Sequence, residues 1–213
     1  ARGPHQLTIH ENVAWDRIDS GPGLLEHAAR ADAVCFGSLA MRDKRSRAAI
    51  RDVLYRTRLD ALRIFDINLR EPFLDRDQVE HALDAANVLK LNEEELSILA
   101  EWFDLPEGNK ESIAELADLY TLDLVAYTRG AFGSLLYRAG EWSDHPGTPV
   151  EVCDTVGAGD AFTAAMTMGL LAGWPLDTIH EQANAVAAFV CTRPGATPTL
   201  PDDLRRPFLD PRK

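Results

Sequence analysis

Cysteine is scarce in this chain: three residues among 213, Cys35, Cys153 and Cys191, with no C-x-x-C pair. An odd, scattered set supplies neither a disulfide framework nor a thiolate zinc site, and it fits a reducing cytoplasm. Basic residues are also short, 22 Lys and Arg against 34 Asp and Glu, a net charge of −12. That balance argues against a nucleic-acid groove or an anionic membrane surface as the main partner, because both recruit basic patches. No apolar run reaches the length of a membrane span, and Ala1 to Leu7 lacks the basic-then-apolar order of a secretory signal. Gly-Lys occurs nowhere, which removes the P-loop. The first Met is Met41, an unusual opening for a translation product. What remains, 46% hydrophobic residues without repeats or low-complexity tracts, is ordinary for one globular domain.

Short apolar runs at Val34–Phe36, Leu62–Asn68, Val88–Asn92 and Leu124–Thr128 read as buried strands. Helical patterns lie between them, over 43–58, 75–86, 93–103 and 110–120. Such alternation predicts right-handed βαβ crossovers and a parallel sheet clothed in helices, with function at the carboxyl ends of the strands. Gly133 to Tyr137 and Glu141 to His145 read as a hairpin turning at Ala139-Gly140. Two long helices follow, over 157–171 and 176–192, and then a proline-rich tail that reads as mostly irregular. Leu7 to Val13 alternates apolar and polar residues and is expected to be a strand whose mates lie outside the chain.

The sharpest motif is Asp154-Thr155-Val156-Gly157-Ala158-Gly159-Asp160, placed directly before a helix. Small residues at 157 to 159 allow close approach to the backbone, and the first N–H groups of a helix, with its dipole, suit an anion. Asp160 at that position also reads as a simple helix cap. Two glycines flanked by carboxylates suggest more: a site that holds a phosphate and removes a proton. A Rossmann fingerprint would need Gly where Phe162 stands, and a zincin would need a second His where Asn184 stands. Cys153, with nothing basic beside it, reads as buried filler.

On these residues the sequence resembles the ribokinase-like (phosphofructokinase-B type) carbohydrate kinases, in which the last Asp of such a loop is the catalytic base. Further segments follow the family order. Asn92-Glu93-Glu94-Glu95 is similar to its Asn-x-x-Glu element, implying Asn92 on the nucleotide side and Glu95 on Mg2+ through water. Thr128-Arg129-Gly130 with Gly133 resembles a segment approaching the nucleotide phosphates, and Asn184 a residue beside the adenine. Asp66-Ile67-Asn68-Leu69-Arg70 resembles a strand end of fructokinase-like members, implying Asn68 and Arg70 on the substrate side. Each segment has a plainer reading: a helix start for Asn92, a strand entering a turn for Thr128, a solvated charge for Arg70, a surface or locally bonded amide for Asn184. Their joint order carries the resemblance.

The resemblance implies a three-layer α/β/α fold with a mainly parallel sheet, spanning 15–213, with 1–14 as a remnant of a small β lid. It implies ATP-dependent phosphorylation of a sugar hydroxyl, fructose or a related hexose. Asp160 would be the base, and Gly157, Ala158 and Gly159 would stabilise the transferred charge. Mg2+ is expected with ATP, and K+ as a monovalent cation beside Asp154, Val156 and Gly195. A sugar and ATP are the expected partners, with a homodimer through the lid as an added arrangement. The family's early strands, its sugar-gripping Asp and its Gly-Gly-Asn are absent from these 213 residues, so this chain is expected to keep the nucleotide half of the site and lack much of the sugar half. A kinase for another sugar, a sugar acid or a nucleoside, and a non-catalytic sensing relative, are the rival readings.

Overall fold

The computed structural model describes residues 9–209. Six strands, β1 (Ala33–Phe36), β2 (Leu62–Asp66), β3 (Val88–Asn92), β4 (Leu124–Thr128), β5 (Ser134–Arg138) and β6 (Glu141–His145), lie side by side in chain order. Neighbours are parallel from β1 through β4, and β5 and β6 close the sheet as an antiparallel hairpin. A helix α1 (Pro22–Ala28) precedes β1, and α2 (Lys44–Arg56), α3 (Arg76–Ala85) and the pair α4 (Glu93–Phe103) and α5 (Asn109–Leu119) make the three crossovers. Right-handed crossovers that always step the same way put their helices on one face. The opposite face is left for α6 (Ala158–Leu171) and α7 (Leu176–Cys191), with α8 (Asp202–Leu209) beyond.

Strand alternation divides the interior accordingly. Phe65, Leu89, Leu91, Val125, Tyr127 and Leu135 point to the crossover helices, where Leu83, Leu99, Ile113 and Leu116 meet them. Ile64, Val88, Leu124, Ala126 and Leu136 point the other way, onto Phe162, Met166, Ile179 and Ala183 of α6 and α7. Both faces are covered, which is why these strands are continuous apolar runs. The expected three-layer α/β/α fold is the one observed.

Three expectations need correction. Leu7 and Thr8 lie outside the described residues, and Ile9 to Val13 forms no strand; it runs into a short 3-10 turn at Ala14–Asp16. Asp16 is held there by Arg42, Nε to Oδ1 at 2.8 Å, so a long-range ion pair shapes this stretch rather than strand pairing. The proline-rich tail is irregular from Thr192 to Pro201, as expected, but its later part is not: α8 forms despite Pro207, and Phe208 packs on Trp174 with ring centroids 5.4 Å apart. Tertiary contact overrides the proline signal there. Cys153 is exposed rather than buried.

Candidate active site

Two helices, α4 and α6, begin at the carboxyl ends of the strands, and their first turns are built in opposite ways. Asn92 caps α4, its side chain accepting from the Glu95 N–H at 2.9 Å while Glu95 Oε2 accepts from the Asn92 N–H at 2.9 Å. This reciprocal box satisfies the turn internally. Glu95 Oε1 also accepts the Leu69 N–H at 3.1 Å, tying α4 to the chain leaving β2. Burial pushes the Glu95 carboxyl up, against the pull of the Asn92 N–H and of Lys90.

At α6 no side chain caps the helix. Gly157 takes the N-cap position at φ +81, and a Cβ there would lie 2.5 Å from the Ala196 carbonyl oxygen, so glycine is required by the neighbouring backbone. The Ala158 N–H turns back to the Thr155 carbonyl at 3.3 Å. Among the described residues the N–H groups of Gly157, Gly159 and Asp160 have no partner. Of the three residues expected to offer amides, Ala158 is therefore partly occupied, and the Asp160 N–H takes its place. The Asp160 carboxylate makes no cap; it is exposed and borders a groove of about 460 Å3 lined by Gly157, Ala164, Met168, Val190 and Phe208.

Beneath this turn lies a charged group that sequence reasoning did not assign to the site. Lys90 Nζ donates to Asp66 Oδ1 at 3.0 Å, with both side chains over nine-tenths buried. Thr163 Oγ1 of α6 donates to Asp66 Oδ2 at 2.9 Å and lies 3.1 Å from the Gly159 carbonyl. A Cβ on Gly159 would come 3.2 Å from Lys90 Nζ, so the smallness of Gly159 makes room for an ammonium below. The available signal was a lysine inside the apolar run Val88-Leu89-Lys90-Leu91, since a strand buried on both faces keeps a charge only if it is paired. At the β1 end Cys35 opens to solvent, yet the surrounding mass of protein first, then Asp66 and Asp160, push its thiol up to about 11, which keeps it protonated.

The other expected residues fall into three groups. Asn68, at φ +49, accepts from Arg70 at 3.1 Å, and the Arg70 guanidinium stands 4.0 Å from Glu95, so Asn68, Arg70, Asn92 and Glu95 share one corner. Thr128 pairs in register with Ser134, whose hydroxyl meets Asn184 and His180, joining Thr128, Gly130 and Gly133 to Asn184. Gly133, at φ +80, admits no side chain, because a Cβ would overlap the His145 carbonyl oxygen. Asn184 is buried, its amide donating to Ser134 Oγ at 3.0 Å and to the His180 carbonyl at 2.8 Å. His180 is held by Ser134 and Ser143, each at 2.8 Å, and burial first, then His145, lowers it to about 4. Finally Asp154 gathers its own group: Oδ1 accepts from the Val156 N–H at 3.0 Å and Oδ2 from the Gly195 N–H at 3.1 Å. Among the described residues no group of three or more His, Cys, Asp or Glu converges as metal ligands.

A helix start with open amides, a free carboxylate on its first turn and glycines fixed by backbone contacts is paralleled at the level of whole sequences. The family model for pfkB family carbohydrate kinases matches residues 22–203. The chain belongs to that family. A fructokinase of Salmonella thompson is 37% identical over 158 residues, 68% of this chain and 69% of its own length. Of other curated fructokinases that it matches, the chain spans about half the length. The crystal structure of aminoimidazole riboside kinase from Salmonella enterica, complexed with aminoimidazole riboside and an ATP analog, superposes with a TM-score of 0.68 at 29% identity, covering 83% of this chain and 62% of that one. Fructokinase from Vibrio cholerae O395, bound to fructose, ADP and calcium ion, superposes with a TM-score of 0.69 at 26% identity, covering 82% and 59%. As a pfkB-family chain, this one has its glycine loop and Asp160 inside the matched region.

Proposed function

We propose that this protein transfers the terminal phosphoryl group of ATP to a hydroxyl of a sugar, fructose or a related hexose, with Asp160 as the general base. The observation that carries it is the exposed Asp160 carboxylate, without a partner among the described residues, on the same helical turn as the open Gly159 and Asp160 amides. Phosphoryl transfer asks the protein mainly for positioning and charge stabilisation. The amides and the α6 dipole hold the anionic group, and the carboxylate takes the proton of the attacking alcohol. Among rival substrates, the fructokinase relatives favour a hexose.

Thr128, Gly130 and Gly133 at the β4–β5 turn border the nucleotide in this reading, with Asn184 supporting them from below, and Asn68 and Arg70 lie on the sugar side. Mg2+, when bound, neutralises triphosphate charge. It takes most of its oxygens from phosphate and water, which suits a site where both Glu95 oxygens already accept N–H bonds and the carboxylate reaches the ion only through water. A monovalent cation beside Asp154 would draw on the backbone carbonyls of Val156 and Gly195.

The test is sugar-dependent ADP release by the full-length protein over a panel of hexoses, pentoses, sugar acids and nucleosides. Fructose or a near relative should give the largest kcat/KM. A nucleoside preference would overturn the hexose assignment. Nucleotide binding without turnover on any acceptor would favour a sensing role.

A further inference from the structure

The reading of Asp160 and the loop leaves one buried charge without a task. Lys90 stands on β3 facing α6, its side chain 7% exposed, and among the described residues its ammonium donates to Asp66. Asp66 spends its second oxygen on Thr163, one turn into α6. The ammonium also packs against Gly159 so closely that a methyl group there would sit 3.2 Å from it. Three residues on three elements, Lys90 (β3), Asp66 (β2) and Thr163 (α6), therefore meet under the one turn whose amides are open. A hydrophobic trio would pack this place at lower desolvation cost, since buried ion pairs are weak stabilisers. The charge asks for a reason beyond folding.

We propose that Lys90 is a positioning residue for phosphoryl transfer: fixed by Asp66, its ammonium braces the Gly159 turn from below and adds fixed positive charge behind the amides that face the transferred group. Resting on the kinase reading above, this adds a second source of positive potential to the cradle, one that never touches substrate. A charge set in a low-dielectric interior before reaction stabilises an anion without reorganising during it. Because charge on the transferred group develops in the transition state, removing Lys90 should lower kcat more than it raises KM.

The test uses the full-length protein with Lys90→Met, Asp66→Asn and the double variant Lys90→Met/Asp66→Asn. The single Lys90 variant strands a buried carboxylate and is expected to lose stability; the double variant removes both charges and keeps the packing. The expected result for the double variant is a thermal midpoint near that of the parent, kcat lowered about 10- to 100-fold, and KM for ATP and sugar within about threefold. Pyrophosphate binding by calorimetry is measured in parallel, and should weaken at least about threefold once the ammonium nearest Gly159 is removed, even though its Asp66 partner is neutralised with it. A double variant with parental kcat and parental pyrophosphate affinity overturns the proposal. An absence of sugar phosphorylation in the parent, with the charge-dependent pyrophosphate affinity intact, would sink the kinase reading and leave Lys90's action on the cradle supported.

Discussion

The first turns of α4 and α6 stand at the same end of the same sheet, yet one is closed and the other open. At α4 a side-chain amide and a carboxylate satisfy the helix start reciprocally, and Glu95 extends the closure to Leu69. At α6 a glycine in the left-handed region takes the cap position, and among the described residues nothing fills the Gly159 and Asp160 amides behind it. A helix start that caps itself gains stability and loses the capacity to bind an anion. One that leaves its amides open must be held by other means, here Ala196 against Gly157 and the Lys90–Asp66–Thr163 group beneath.

Substitutions at the two turns should therefore separate activity from stability. Asp160→Ala should cost about 10²–10⁴-fold in kcat, the range for a lost general base, and leave the unfolding midpoint unchanged, because the carboxylate is exposed and unbonded. Steady-state kinetics and a urea melt on the same preparation check both halves. Asp66→Ala should be the largest stability loss, about 3–5 kcal/mol, since it leaves the Lys90 ammonium buried without its partner. A loss below about 1 kcal/mol in the urea melt would mean that water relieves the charge.

A third prediction concerns the polar group between the hairpin and α7. His180 titrates near 4 in the folded protein, below the ordinary 6.5, so the unfolded chain binds the proton first. Its contribution is complete above about pH 6.5 and is lost as pH falls toward 4, on the order of 2 kcal/mol. Urea midpoints between pH 7 and 4.5 should decline less steeply in His180→Gln than in the parent. The smallest effect belongs to α4. Asn92→Ala should cost about 1 kcal/mol through the lost cap, read as a shift of the thermal midpoint of about 2–4 °C for a chain of this size.

Much of this was legible in the residues. Continuous apolar runs such as Leu124-Val125-Ala126 can only be strands covered on both faces, and the glycine loop before Ala161 marks the open helix start without any coordinates. Two kinds of feature were not legible. Lys90 and Asp66 are 24 residues apart, and Thr163 is 97 from Asp66, so their meeting depends on strand order. Gly157 and Gly159 read as clearance for a ligand, whereas their missing side chains make room for Ala196 and for Lys90. Glycine reports that something comes close, but not from which side. The helix α8 was hidden by its proline, and the packing of Phe208 on Trp174 and on the α6–α7 core explains why it is held.

The contrast between the two turns is tested most directly by amide hydrogen exchange in the full-length protein, with and without Mg2+ and a non-hydrolysable ATP analogue. Exchange at Gly159 and Asp160 should slow markedly on binding while the amides of Asn92 and Glu95, already bonded, change little. Nucleotide binding that leaves Gly159 and Asp160 exchanging at their free rate would contradict the account.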